Sequence, residues 1–307
     1  MTQLVWLITG TSTGLGRDLA LAALNRGDKV VATARSRSIG QIDDLKAKGA
    51  ETLELDVTAP LEQLQEVAKK AVSFYGRVDV VVNNAGYILV GAIEENTPQE
   101  TYEQFNTNVF GALNVSRAFL PYMRERKSGT IIFCGSIVGW GELPNAGLYT
   151  ATKWALRGMS AFSERSLAFR THSLSFLGLS ETLNTEISPL GLRSICIDFG
   201  YFRTSFLSGN HRQARVSRIA DYNEMKEKAE AALEQYNGKQ PGNPRNGVEV
   251  ILDIVRGEGV AKGKPAPLNI QLGSDCYDTA KQHCEKALSN LAEWKDASFS
   301  TDFPKGQ

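Results

Sequence analysis

The sequence lacks several features that mark specialised classes of protein. No stretch reaches the ~18 apolar residues that a membrane-spanning helix needs, so we expect no membrane partner. The apolar run at residues 4–8 has no basic segment before it and leads into a glycine turn, which favours a buried strand over a signal peptide. The 34 basic and 34 acidic residues cancel, so charge gives no indication of a nucleic-acid partner.

Cysteine is also scarce. The four cysteines include no CxxC pair, which favours a reduced compartment, and we expect a cytoplasmic protein. Cys276, His283 and Cys284 are close along the chain, but no fourth ligand is evident. We therefore interpret them as ordinary residues of a C-terminal helix over 273–296, and we predict no metal site.

The sequence does contain short apolar runs that alternate with longer helical patterns. Helical periodicity is present, for example, over residues 14–25, 61–75 and 109–126. Strands are predicted over residues 5–9, 29–33, 51–55, 78–82, 130–134, 193–198 and 268–272. This alternation predicts an α/β fold, a doubly wound parallel sheet (Rossmann-type) with helices on both faces, in a single domain over 1–307.

A glycine-rich turn follows the first predicted strand and opens the first predicted helix. Gly10, Gly14 and Gly16 would let the turn tighten and the backbone approach a pyrophosphate at the helix N-terminus. A bare structural turn is the alternative, but the strand before and the helix after favour dinucleotide binding. The predicted contacts are Gly10, Ser12, Gly14, Leu15 and Gly16.

The end of the second strand indicates which dinucleotide is bound. An NAD-selective site places an acidic residue there to bind the ribose 2′-hydroxyl. This sequence has Arg35 instead, which suits a 2′-phosphate, and Arg17 could assist. We predict NADP(H) as the cofactor; the alternative is that both arginines are solvated surface residues.

Ser136, Tyr149 and Lys153 form the predicted catalytic group. A phenol with a pKa near ~10 is a poor acid or base at neutral pH. Lys153 lies one helical turn after Tyr149, where its charge would favour the phenolate. The YxxxK pattern alone is weak, but a serine directly after an apolar strand strengthens it.

With these motifs in this order, the chain resembles the short-chain dehydrogenase/reductase family, and residues 272–275 with the helix after them look like its hydroxysteroid and retinol dehydrogenase members. The resemblance covers residues 4 to about 207 and rests on residues 9–16, Asp56, Asn83, Asn84, Ala85, Gly86, Asn108, Ser136, Tyr149 and Lys153. It implies Tyr149 as acid/base, Ser136 as the orienting hydroxyl, Lys153 on the nicotinamide ribose and Asn108 in a water-linked proton relay.

The resemblance also implies further cofactor contacts at the carboxyl ends of strands. The implied positions are Asp56, Val57, Asn83, Ala85, Gly86 and Thr204, besides Tyr149 and Lys153. Residues 200–204 look like the family's segment against the nicotinamide carboxamide, although Phe199 replaces the usual proline.

Two segments stand outside this pattern. Residues 203–247 are either a substrate-covering segment or a solvated surface insertion, and the sequence leaves both open.

Residues 159–178 interrupt the helix that begins with YxxxK. Because a helix turns by ~100° per residue, this insertion rotates the following apolar stripe by roughly 200°. Removing it restores a four-residue spacing of Ala155, Leu179, Leu183 and Ile187.

We offer two explanations for residues 159–178. The first is a translated intron, since Gly158 precedes the segment, Gly178 ends it, and the codons could carry splice signals. The second is a genuine insertion, such as a lid. In the family this helix normally packs on a partner subunit. Because residues 159–178 interrupt it here, the sequence leaves open whether the protein forms a homo-oligomer.

The sequence therefore predicts an NADP(H)-dependent oxidoreductase acting on a small-molecule alcohol or carbonyl substrate. The alternative is an NADP(H)-binding protein without turnover, if the insertion disrupts the catalytic helix. A dehydratase or epimerase on the same scaffold is disfavoured, because members with that chemistry tend to space the glycines differently. The sequence leaves open the substrate, the stereochemistry and the direction of the reaction.

Overall fold

The structure is a computed structural model that describes residues 2–157, 178–207, 212 and 217–303. The predicted insertion over 159–178 lies outside the described residues, except for Gly178, which precedes a helix. The predicted covering segment over 203–247 is described in part.

Seven parallel strands form one sheet in the order β3-β2-β1-β4-β5-β6-β7. The strands are β1 Val5–Ile8, β2 Lys29–Ala34, β3 Glu51–Glu54, β4 Val80–Asn83, β5 Gly129–Cys134, β6 Leu192–Phe199 and β7 Asn269–Leu272. The helices are α1 Gly14–Asn25, α2 Asp43–Ala47, α3 Leu61–Tyr75, α4 Pro98–Phe105, α5 Ala112–Arg126, α6 Gly147–Arg157, α7 Leu179–Ile187, α8 Asn223–Tyr236, α9 Pro244–Arg256, α10 Ser274–Glu293 and α11 Lys295–Phe299. The predicted doubly wound parallel fold is confirmed.

The sheet is covered on both faces, and its central strands β1 and β4 are buried along their whole length. In β1, Trp6 and Ile8 face a core built with α1 and α9, whereas Val5 and Leu7 face the opposite core. That second core includes side chains from α3, α5, α6 and α7. Successive side chains of a strand point to opposite faces, so a continuous apolar run is what two covered faces require.

One predicted helix differs from its expected form. The pattern over 109–126 predicted a regular helix, but residues Asn106–Gly111 form a π-helical turn that continues into α5. Apolar spacing indicates a helix but does not distinguish one wider turn from an α-helical turn. Such turns often occur at functional sites, and this one carries Asn108.

The strand order places a crevice at the carboxyl edge of the sheet. The chain runs from β1 to β2 and β3 on one side and then returns to β4 on the other. Ligands of open α/β sheets bind at this reversal, outside the carboxyl ends of the strands. Among the helices of the described residues, none has the length and apolar character to cross a membrane.

Candidate active site

The turn between β1 and α1 requires its glycines. Gly10 and Gly14 have φ values of +70° and +60°, which disfavour other residues. A Cβ at Gly16 would overlap the Asn84 amide and lie 2.6 Å from the Gly10 carbonyl oxygen. Asn84 in turn donates from Nδ2 to the carbonyl oxygens of Thr9 and Gly10, at 2.8 and 3.1 Å. The turn is therefore packed tightly against the residues that follow β4.

The N-terminus of α1 opens onto a cavity at this edge. Ser12, Gly14 and Leu15 line the cavity. The first amides of a helix have no partner inside the helix, and the helix dipole favours an anion there. The turn thus fits the pyrophosphate of a dinucleotide.

Arg35 lies where the ribose of a dinucleotide would be expected. It directly follows β2 and lines the cavity with Ala34 and Ser38, and β2 ends without an acidic residue. Burial, followed by repulsion from Arg37, lowers the pKa of Arg35, yet an arginine stays charged at neutral pH. Arg17 is placed elsewhere.

Arg17 forms an ion pair with Asp44 and also donates to the Gln41 carbonyl oxygen at 3.3 Å. It is not among the described residues that line the cavity. Arg17 is therefore held by the segment between β2 and α2 and by α2 itself, and its assistance in cofactor binding stays a prediction.

Most of the other predicted cofactor contacts do reach the cavity. Those that line it are Asp56, Val57, Ala85, Gly86 and Thr204. Asp56 is oriented by its own turn, where Oδ1 accepts from the Thr58 amide at 2.9 Å and from its hydroxyl at 2.7 Å.

Two predicted cofactor contacts, Gly16 and Asn83, are not among the described residues lining the cavity. Asn83 is buried, and its Nδ2 donates to the Ser116 hydroxyl at 3.0 Å. As the last residue of β4 it points toward α5, because strand side chains alternate between the two faces. Gly16 lies behind the turn, so both residues support the site from beneath.

Ser136, Tyr149 and Lys153 come together at the carboxyl end of β5. Ser136 follows β5, while Tyr149 and Lys153 lie on one face of α6, separated by one helical turn. Tyr149 is only 4% exposed. Lys153 donates from Nζ to the Cys134 carbonyl oxygen at 2.7 Å and lies 5.7 Å from the centre of the Tyr149 ring.

Burial dominates the titration of this group. Burial raises the pKa of the Tyr149 phenol, while a hydrogen bond with Ser136 lowers it. Burial also lowers the pKa of the Lys153 ammonium. Burial opposes the charged form of each group, so both shifts have the same physical cause.

Asn108 lies outside the set of described residues that line the cavity. Its Nδ2 donates to the Tyr87 carbonyl oxygen at 3.1 Å and to the Thr152 hydroxyl at 3.2 Å. Thr152 in turn donates to the Tyr149 carbonyl oxygen at 2.7 Å. The π-helical turn is thereby tied to the backbone of α6.

Sequence reasoning missed a buried charged cluster beneath the catalytic group. Asp198 of β6 is fully buried and accepts from Trp140 Nε1 at 2.8 Å. The Arg157 guanidinium lies 3.5 Å over the Trp140 ring, and none of its nitrogens has a hydrogen-bond partner among the described residues. The available signal was Asp198 itself, a charged residue inside an otherwise apolar strand.

Asp198 also abuts the turn that carries Ser136. A Cβ at Gly135 would overlap Asp198 Oδ1 and lie 3.0 Å from Cys196 Sγ. The carboxylate therefore fills the space beneath Gly135, and only glycine fits there without displacing it.

Asp275 is a second residue whose role the sequence did not predict. It lies in the first turn of α10, and its Oδ2 accepts from the Tyr201 amide at 2.7 Å. The Gly200 amide donates to the Leu272 carbonyl oxygen at 2.8 Å, so the segment after Phe199 is held without the usual proline.

The substrate end of the cavity is apolar. A small cluster there combines Tyr149 with Ile88, Val90, Val138, Ala146, Leu143 and Phe206. The whole cavity measures about 240 Å³. In the described residues, no group of three potential metal ligands is close enough to hold an ion.

Comparison with known proteins agrees with this geometry. The family model for short chain dehydrogenases matches residues 4–171. Oxidoreductase BOA17 of Botryotinia fuckeliana is 30% identical over 301 residues, which cover 97% of this chain and 98% of that protein. The 3-ketodihydrosphingosine reductase of Bacteroides thetaiotaomicron is 33% identical over 224 residues, 72% of each chain.

A solved structure supports the same assignment. The crystal structure of a short-chain dehydrogenase from Streptomyces avermitilis matches with a TM-score of 0.79 and 35% identity, and the match covers 98% of this chain and all of that one (100%). The chain therefore belongs to the short-chain dehydrogenase family of oxidoreductases.

Proposed function

We propose that this protein is an NADP(H)-dependent oxidoreductase that interconverts a secondary alcohol and a ketone, or acts on an aldehyde. The supporting observation is the grouping of Tyr149, Ser136 and Lys153 beside a cavity whose glycine turn fits a dinucleotide. The nicotinamide would supply the hydride in reduction and accept it in oxidation.

Each residue has a separate task in this proposal. Ser136 holds the substrate oxygen, and Tyr149 donates its phenolic proton to that oxygen during reduction. Lys153 stabilises the resulting phenolate by its charge, which matters because burial alone raises the pKa of Tyr149. In oxidation the same proton returns to Tyr149.

The choice of NADP(H) rests on Arg35. A guanidinium can bind a 2′-phosphate through two charge-assisted hydrogen bonds, and β2 ends without an acidic residue to bind a free ribose hydroxyl. Reduction of a ketone is supported by one relative, which is named as a 3-ketodihydrosphingosine reductase.

The test is NADPH oxidation by the purified chain against a panel of ketones and aldehydes, beside Tyr149→Phe. We expect turnover by the parent and a loss of about 10²–10⁴-fold in kcat for the variant, with cofactor affinity retained. Equal rates for the two proteins would contradict the role of Tyr149.

A second candidate is an NADP(H)-binding protein without turnover. It is favoured by the position of residues 159–178, which separate α6 from α7 directly after the catalytic residues. Cofactor binding without hydride transfer to any carbonyl would support this candidate.

We further propose that residues 159–178 are a translated intron. Leu156 of α6 and Leu183 and Ile187 of α7 belong to the same core, on one face of the sheet. With the segment removed, these side chains would lie on one continuous helix and still face that core.

A further inference from the structure

A second groove adjoins the catalytic cavity. It measures about 750 Å³, within the range of ordinary ligand sites. Leu143, Pro144, Tyr201 and Leu233 line both spaces. The two spaces therefore adjoin at these four residues.

One face of α8 forms a wall of the groove. Met225, Ala229, Leu233 and Tyr236 recur at helical spacing along that face, and Ala232 lies beside them. The alanines leave room that larger side chains would fill. The lining is mostly apolar and suits methylene groups better than polar ones.

The position of α8 is held by one contact outside the groove and one on its wall. Lys226 forms an ion pair with Glu95 at 2.6 Å, and both side chains are fully buried. The Tyr201 and Tyr236 rings pack edge to face, with centres 5.0 Å apart. These contacts anchor α8 beside the groove, and a site on an anchored element costs less entropy to order on binding.

The charges near this path do not favour an acidic substrate. Arg212 lines the catalytic cavity, but it pairs with Glu230 through both terminal nitrogens, with Nη1 2.5 Å from Oε1. Along the groove itself, Lys228 is paired with Glu224 at 2.6 Å. Both cations are thus already neutralised by carboxylates on their own segment.

From these observations, and resting on the proposed function, we propose that the substrate is an uncharged ketone or aldehyde with a long, unbranched apolar chain. Its carbonyl group lies at Tyr149 and Ser136, and its chain extends past Leu143 and Pro144 into the groove beneath α8. The groove is the specificity-determining part of the site.

The test measures kcat/KM for methyl ketones of increasing chain length, with NADPH as the reductant. Each added methylene group that enters the groove should raise kcat/KM by up to about fourfold, the equivalent of about 0.8 kcal/mol, until the groove is filled. The shortest ketones serve as the reference, because they do not reach the groove.

Three variants locate the effect on α8. Ala229→Trp and Ala232→Trp fill the groove and should lower kcat/KM for long ketones by tenfold or more, while short ketones are unaffected. Ala231→Trp is the matched control, because Ala231 is exposed on the same helix and is not among the residues that line the groove. Ala232 is also exposed, so its replacement is expected to leave folding intact even if Ala229→Trp does not.

The outcomes separate this inference from the proposed function. Turnover of short ketones without any gain from chain length would overturn the groove assignment alone. The same holds if the groove variants change short and long substrates equally. Absence of turnover with every ketone and with aldehydes of the same chain lengths, while NADPH still binds, would overturn the proposed function and the groove assignment with it.

Discussion

Lys226 and Glu95 form an ion pair at 2.6 Å in which both side chains are fully buried. Glu95 ends a short 3₁₀-helical turn over Ile93–Glu95, between β4 and α4, and Lys226 lies on α8, far along the chain. The same carboxylate accepts from the amides of Arg218 and Ile219, each at 2.8 Å. These bonds join α8 and the segment before it to the turn that precedes α4, and we propose that residues 203–247 cover the substrate.

Replacing Lys226 with methionine should destabilise the protein by about 3–5 kcal/mol, because it leaves Glu95 buried without its cation. The measurement is the free energy of unfolding from urea titration. Lys228→Met is the control, since Lys228 pairs with Glu224 on the exposed surface and its loss should cost less than about 1 kcal/mol. Equal losses from the two variants would show that the buried pair does not stabilise the fold.

The stability of the protein should fall in acid, because the Glu95 carboxylate becomes protonated there. Burial by itself raises the pKa of Glu95, but the bond from Lys226 and the two amides outweigh it and lower that pKa to about 2. A group with a lowered folded-state pKa stabilises the fold above its unfolded value of 4.5 and loses that contribution as pH falls toward 2. The free energy of unfolding, measured by urea titration at several pH values in this range, should fall less steeply with decreasing pH for Glu95→Gln than for the parent.

Arg35→Ala should weaken NADPH binding by about 10- to 100-fold, the effect of losing a hydrogen bond to a charged group. The affinity for NADH should change little, because NADH has no 2′-phosphate. Isothermal titration with each dinucleotide measures both affinities. Arg37→Ala is the control, since Arg37 is a neighbouring arginine that does not line the described cavity. If Arg35→Ala weakens both dinucleotides alike, the predicted selectivity is wrong.

Gly135→Ala should destabilise the protein by about 1–3 kcal/mol or more and lower activity, because the new Cβ would overlap Asp198 beneath Ser136. Thermal unfolding and kcat are the measurements. Gly40→Ala is the matched control: a Cβ there meets nothing within 4 Å, and its φ is not in the left-handed range. A fully stable and active Gly135→Ala would show that Asp198 can shift without consequence.

Deletion of residues 159–178 should yield a more stable protein with higher turnover than the long chain. The physical reason is that α6 and α7 could then continue as one helix on the core that they already share. Activity and thermal unfolding of both forms are the measurements. Transcripts that carry only the long form across these codons would contradict the intron hypothesis, and equal activity of both forms would make the segment a tolerated insertion.

The sequence by itself determined the parts of this protein that depend on local pattern. The seven strands overlap the ranges predicted from short apolar runs. The helices α1 and α3 follow from apolar spacing, and both begin and end at the predicted residues. The glycine turn and the spacing of Tyr149 and Lys153 are equally local, since one helical turn places both residues on the same face.

Only the tertiary structure decided where side chains meet across long separations in the chain. Arg17 pairs with Asp44, and Asn83 turns into the core, although neighbouring residues gave no sign of either. The packing of Arg157 on Trp140 above Asp198 joins three separate elements. Periodicity in a sequence reports which face of an element is buried, whereas partners on that face depend on the packing of the whole fold.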